Sequence, residues 1–235
     1  MKRIAVLFFV LALFPGCRDK DLRCYWDDVP LLEERIRDSE DRFADFAELA
    51  VKAPQEEALA ALDGLFDRLK ENEVAYYVYS DWMSAAFYNP YSPCRNYSLF
   101  DKAVNRIVTD GVLTDGDYSR LLQQREWMSY NLEGSKAVVP GMEFGERTLV
   151  LVLNLSCPSC RDAIQIMDKD PSWRNVRKVA VCYGFGPAPE SPGWEIIVRP
   201  ERSSEVFDID MSPFYFVVRS DGVVEKTYTI FTDNN

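Results

Sequence analysis

The stretch that decides the fold reads TLVLVLNL over residues 148–155 and continues as SCPSC over residues 156–160. Its first part is almost continuously apolar and β-prone, which is typical of a strand buried on both faces of a sheet. Arg161–Met167 then follows a helical pattern. This order of strand, CxxC and helix predicts that Cys157 lies at a helix N-terminus, where unpaired backbone N–H groups stabilise a thiolate. Cys160, one turn further on, is then placed to attack a mixed disulfide.

The rest of the C-terminal half predicts further strands around this one. Arg177–Tyr183 is a second β-prone apolar run, and Gly184–Pro189 after it is loop-like. Two more strands, Phe214–Val218 and Val223–Tyr228, flank Ser220-Asp221-Gly222, which is a hairpin signal with Asp-Gly at the turn. The pattern predicts an α/β domain over residues 148–235.

The N-terminal half has a helical pattern and predicts an all-α domain over residues 28–133. Apolar residues recur there at three- and four-residue steps, and Pro54 and Thr114 are expected to lie at helix starts. The loop Asn89–Asn96 interrupts the helices, and within it Arg95 is expected either to bind an anion or, as we favour, to pin the loop. Residues 134–147 are rich in Gly and Pro and are predicted to be a linker.

The N-terminus has the features of a sorting signal. Residues 1–16 combine Lys2-Arg3 with a short apolar run, which suits a signal peptide and is too short to span a bilayer. The run ends at Gly16-Cys17, which resembles the lipobox of bacterial lipoproteins and implies a lipid on Cys17. Residues 17–27 are then a tether. The expected location is the cell envelope, with membrane attachment through that lipid; an ordinary secretory signal with an incidental Cys17 is the alternative.

Composition excludes several classes of function. The chain has 27 Lys and Arg against 38 Asp and Glu, a net charge of −11 and no His. Such an acidic balance argues against a nucleic-acid partner, and the lack of His excludes imidazole catalysis and His-based metal sites. Of the six cysteines, Cys157 and Cys160 have a spacing that implies a mechanism. Cys182 is predicted to be a core residue, and pairing of Cys24 with Cys94 stays open.

The residues Asp210-Met211-Ser212-Pro213-Phe214 stand before a hairpin strand, where thioredoxins carry their cis-proline loop. With the CPSC motif, they make residues 139–229 resemble the thioredoxin superfamily, and within it the exported TlpA/ResA-like thiol-disulfide oxidoreductases. This resemblance implies that the α/β domain has three layers with a central mixed sheet. The helical half resembles a domain of unknown function that precedes thioredoxin-like domains in bacterial lipoproteins. The resemblance implies these roles: Cys157 as nucleophile, Cys160 as resolving thiol, Pro213 as cis-proline, and Ser212 as a backbone partner for substrate.

The sequence therefore leads to one favoured hypothesis and two others. The favoured function is thiol-disulfide exchange on protein disulfides, without a cofactor and with a redox partner that the sequence does not identify. Arg161 and Lys178 are the basic residues that are candidates for stabilising the Cys157 thiolate. Ser156 stands where a Trp is usual, which keeps open a non-catalytic binding or scaffold protein. The third hypothesis, capture of copper(I) by the two thiolates, is the weakest.

Overall fold

The computed structural model describes residues 22–32, 35–198 and 203–229. Residues 1–16, Cys17 and the first part of the 17–27 tether lie outside the described residues. Among the helices that are described, none has both the length and the apolar composition that crossing a bilayer requires.

The N-terminal half is helical, as the sequence predicts. Pro54 precedes the first turn of a helix, and Thr114 caps another through a capping box with Asp117. A shared core of aromatic and aliphatic side chains, with Phe46, Leu62 and others at its centre, packs these helices together. The helices are α1 (Ile36–Lys52), α2 (Gln55–Leu69), α3 (Glu73–Met83), α4 (Tyr97–Asp110) and α5 (Asp115–Ser129).

One irregular turn extends α3 towards the other half of the chain. The sequence predicts a continuous helix to Tyr88, but Ser84–Tyr88 forms a π-helical turn instead. The Ser84 side chain donates a hydrogen bond to Gln124 Oε1 at 2.9 Å, and the backbone N–H of Asn89 closes the turn on the Ser84 carbonyl at 3.2 Å. The wider turn leaves both Phe87 and Tyr88 buried.

The C-terminal half contains a five-stranded mixed sheet in the order β3-β2-β1-β4-β5. The central strand β1 pairs with β2 in parallel and with β4 in antiparallel. The hairpin between β4 and β5 turns at Gly222, which has a φ of 78°. The short edge strand β3 is one that the sequence analysis did not assign. The strands are β1 (Thr148–Asn154), β2 (Arg177–Tyr183), β3 (Trp194–Val198), β4 (Phe214–Val218) and β5 (Val224–Thr229).

Both faces of the sheet are covered, which explains the continuous apolar sequence of β1. Leu149 and Leu151 belong to the cluster that packs against helix α6 (Pro158–Lys169), whereas Val150 and Val152 belong to the cluster on the opposite face. That opposite face is covered by side chains from three parts of the chain: the segment before β1, Tyr130, and the region of the short helix α7 (Ser203–Val206).

The predicted linker, residues 134–147, is attached to the sheet over its first part. The backbone N–H of Gly134 donates to the Val224 carbonyl and that of Ala137 to the Gly222 carbonyl, both at 2.9 Å. Val139 is buried in the cluster on the side of the sheet opposite α6. The segment therefore extends the sheet region rather than merely connecting the halves.

Candidate functional site at the CPSC motif

Cys157 lies where the sequence places it, at the start of a helix that follows the central strand. It is the N-cap residue of α6, with φ −95° and ψ 120°, and Pro158 occupies the first helical position. Its side chain is half-buried. Cys157 therefore lies at the end of α6 that has unpaired N–H groups and the positive end of the helix dipole, a position that favours a thiolate.

Cys160 is buried, with 2% of its surface exposed. Its Sγ accepts a hydrogen bond from the backbone N–H of Asn154 at 3.3 Å, and its S–H donates to Ser212 Oγ at 3.8 Å. Burial raises the pKa of the Cys160 thiol to about 11, and a hydrogen bond with Cys157 acts in the same direction. The contacts with Asn154 and Ser212 offset this in part. At neutral pH the Cys160 thiol is protonated.

The loop before β4 brings Ser212 and Pro213 to the two cysteines. The Ser212–Pro213 peptide bond is cis, as the resemblance implies. Ser212 Oγ donates to the Ile209 carbonyl at 3.0 Å, and Tyr183 Oη donates to the same carbonyl at 2.9 Å. These bonds fix the loop Phe207–Pro213, here called the cis-proline loop, against the end of β2.

The helical half also contributes to this site, which the sequence analysis did not predict. Tyr91 Oη donates to the Pro213 carbonyl at 3.0 Å, and Tyr88 Oη donates to the buried Asp208 carboxylate at 2.6 Å. Burial raises the pKa of Tyr91 to about 12, and the charges of Cys160 and Cys157 add to the shift, so Tyr91 lies near the two cysteines. The cis-proline loop is thus fastened to both halves of the chain.

Tyr91 lies in the loop Asn89–Asn96, which the sequence analysis noted as an interruption of the helices. The residue that the sequence analysis selected in this loop was Arg95 and not Tyr91. Arg95 Nε donates to the Tyr88 carbonyl at 3.3 Å, which is the pinning role that we favoured. Between the two halves lies a cavity of about 680 Å³, whose walls include Arg95, Trp127 and Asp208.

The other candidate residues of the sequence analysis lie outside the CPSC motif. Lys178 Nζ forms an ion pair with Asp168 at 2.6 Å, so its charge is directed elsewhere, and the side chain of Arg161 lies outside the described parts. Cys182 is buried, and burial raises the pKa of its thiol to about 12, as expected of a core residue.

The structure describes no disulfide between Cys24, which is exposed, and Cys94, which is buried. Within the described ranges, no group of three or more His, Cys, Asp and Glu side chains is arranged to hold a metal ion.

Comparison with known proteins bears on the fold. No protein-family model and no curated protein matches the chain. A thioredoxin-like protein from Bacteroides caccae is similar in structure, with a TM-score of 0.71, 16% identity and 95% of each chain covered. The C-terminal domain of an uncharacterized protein from Bacteroides fragilis aligns over 41% of this chain and 89% of its own, at 16% identity and a TM-score of 0.33, which is too low to support an argument. The chain, with its helical half and its mixed sheet, therefore has a thioredoxin-like fold.

Proposed function

We propose that this chain is an exported, lipid-anchored thiol-disulfide oxidoreductase that acts on protein disulfides through Cys157 and Cys160. One observation carries the redox part of the proposal: a half-buried cysteine at a helix N-terminus lies one turn from a buried cysteine that contacts the cis-proline loop. The different environments of the two thiols support different roles, with Cys157 as the nucleophile and Cys160 as the resolving thiol.

In the reducing direction, the Cys157 thiolate attacks one sulfur of the substrate disulfide, and the S–S bond of the substrate breaks as the mixed disulfide forms. The other substrate sulfur leaves as a thiolate and takes a proton from solvent. Cys160 then loses its proton, attacks Cys157 Sγ and displaces the remaining substrate sulfur. The substrate gains two electrons, the two cysteines form a disulfide, and a dithiol reductant reopens it.

The cis-proline loop supports the binding part of the proposal. Ser212 is buried against Cys160 and is followed by Pro213, and the loop that carries them is held by Tyr183 and Tyr91. Backbone groups of Ser212 are proposed to pair with the substrate, as the family resemblance implies.

The reduction potential of the Cys157/Cys160 pair tests the redox proposal. The full chain is equilibrated in glutathione buffers, alkylated and digested with trypsin; cleavage after Arg147 and Arg161 gives a peptide whose only cysteines are these two. A potential between about −280 and −120 mV supports an oxidoreductase. A disulfide that stays closed below about −300 mV is structural, and the binding or scaffold hypothesis then replaces this one.

Export and anchoring are tested separately, because residues 1–17 are outside the described structure. In bacterial cells fed radiolabelled palmitate, the wild-type chain is expected to carry label and to fractionate with membranes. Cys17→Ser is expected to abolish the label, while Cys24→Ser, the matched control, retains it. Label that persists in the Cys17→Ser chain contradicts lipidation at Cys17.

A further inference from the structure

Phe185 is the most exposed of the large apolar side chains in the described structure, with 94% of its surface accessible. Single exposed apolar residues are common and need no explanation by themselves. The position of this one is unusual, because it stands at the tip of the turn Gly184-Phe185-Gly186 directly after β2. Strand β2 pairs with β1, and the two strands end together at the pair Asn154 and Tyr183.

The turn is held by the residue that precedes the nucleophile. Ser156 Oγ donates a hydrogen bond to the Phe185 carbonyl at 3.0 Å, and it accepts one from the backbone N–H of Phe185 at 3.3 Å. Ser156 itself is oriented by its backbone N–H, which donates to Asn154 Oδ1 at 2.9 Å. Phe185 is therefore tied through one hydroxyl group to the residue next to Cys157.

Both flanking glycines are required for this geometry. Gly184 has a φ of 80°, and a Cβ there would lie 2.6 Å from Asn154 Oδ1. Gly186 has a φ of 153°, and a Cβ there would lie 2.8 Å from the Leu155 carbonyl oxygen. The turn is thus packed tightly on the end of β1, which restricts the backbone on both sides of Phe185.

The turn itself is uncharged, although the chain as a whole has a net charge of −11. No charged residue occurs between Tyr183 and Pro189. The segment after the turn also forms one wall of a cavity of about 290 Å³, whose other walls include Leu155, Ile164 and Cys160, with Glu190 also lining it. The residues that follow Phe185 therefore line the same cavity as Cys160.

We propose that Phe185 is a specificity-determining residue that contacts an apolar side chain of the substrate polypeptide next to its reacting cysteine. Ser156, whose hydroxyl holds the turn, acts as its positioning residue. The proposal rests on the proposed oxidoreductase function and adds the substrate class: polypeptide disulfides with apolar residues beside the reacting cysteine.

The test uses the full chain with its redox pair reduced and two probe disulfides. One is a peptide disulfide with Leu and Val beside the cysteine, and the other is glutathione disulfide, which has no apolar flank. Phe185→Ser is expected to lower the second-order rate constant with the peptide by about tenfold, the order expected when contact with a phenyl ring is lost. The rate with glutathione disulfide is expected to change by less than about twofold, since this probe makes no such contact.

Two further variants sharpen the comparison. Ser156→Ala is expected to lower the peptide rate by a smaller factor than Phe185→Ser does, because the turn then loses the hydroxyl group that holds it. Ile36→Ala removes a side chain that is 56% exposed in the helical half and is expected to change neither rate. Equal losses on both probes in Phe185→Ser would show an effect on Cys157 itself and would overturn the docking role.

Binding without chemistry separates this proposal from the redox proposal. The same apolar peptide with serine in place of cysteine is titrated into the full chain by calorimetry, and Phe185→Ser is expected to weaken binding by about tenfold. If the wild-type chain reacts with neither disulfide, the redox function fails, and the titration alone then decides the docking role. Equal affinity in wild type and variant overturns it.

Discussion

At the scale of single residues, the two cysteines of one motif have different chemistry because their surroundings differ. Cys157 is half-buried at the start of α6, whereas Cys160 is buried and hydrogen-bonded to the Asn154 backbone and to Ser212. Burial penalises the charged form of a thiol, so the Cys160 thiol is protonated at neutral pH.

We therefore expect alkylation of Cys160 by iodoacetamide in the reduced full chain to rise with a midpoint near pH 11. Mass spectrometry of the tryptic peptide that holds both cysteines measures the modification of each. The control is the chain in urea, in which the midpoint should fall to about 8.5. The stability that the neutral Cys160 thiol provides is fully present below about pH 8.5, the pKa in the unfolded chain, and is lost as the pH rises through about 11. Equal midpoints in the folded and unfolded chains would contradict this prediction.

At the scale of elements, the cis-proline loop depends on contacts from outside the sheet. Tyr88 is the last residue of the π-helical turn after α3, and its hydroxyl donates to the Asp208 carboxylate. The hydroxyl of Tyr91 donates to the Pro213 carbonyl. Burial raises the pKa of Asp208, and its hydrogen bond from Tyr88 partly offsets that shift. Loss of the hydrogen bond to a buried carboxylate costs more free energy of folding than loss of a hydrogen bond to a neutral carbonyl.

We expect Tyr88→Phe to lower the free energy of unfolding by about 1.5–3 kcal/mol, because it removes a bond to a charged acceptor. Tyr91→Phe should cost only about 1 kcal/mol, the usual net contribution of a neutral hydrogen bond. Tyr77→Phe, which alters a half-exposed side chain on α3, is the matched control and should change little. Urea unfolding followed by circular dichroism measures all three, and a Tyr91→Phe loss larger than that of Tyr88→Phe would count against this account.

At the scale of the whole molecule, the helical half and the sheet are joined at several separate places. Trp127 Nε1 donates to the Ser204 carbonyl at 2.8 Å, and Thr227 Oγ1 donates to the Asn131 carbonyl at 3.1 Å. The tyrosine contacts to the cis-proline loop and the backbone pairing of residues 134–137 add to these bonds. Unfolding of either half would therefore remove buried contacts from the other.

We expect the full chain to unfold in one cooperative transition. Far-UV circular dichroism follows mainly the helical half, and tryptophan fluorescence includes Trp173 and Trp194 in the sheet half. The two urea curves should coincide in midpoint and slope. Tyr88→Phe is expected to shift both midpoints together. Two separated transitions would show that the halves are independent, and the helical half would then have no part in the stability of the redox site.

Local sequence determined the elements whose signals lie within a few residues of one another. The continuous apolar run predicted β1, Cys157 was placed correctly at the start of a helix, and Pro54 and Thr114 marked helix starts. The Asp-Gly turn predicted the hairpin. These predictions succeeded because hydrogen-bonding preference, capping and hydrophobic period are local properties.

Only the tertiary structure decided what surrounds the two cysteines. It brought Ser212 against Cys160, Tyr91 against Pro213, and the tip at Phe185 beside the CPSC motif, and it paired β3 with the edge of β2. It also directed the Lys178 charge to Asp168. Each contact joins residues far apart in the chain. A side chain's partner there depends on how helices and sheet pack, and the local pattern carries no record of that packing.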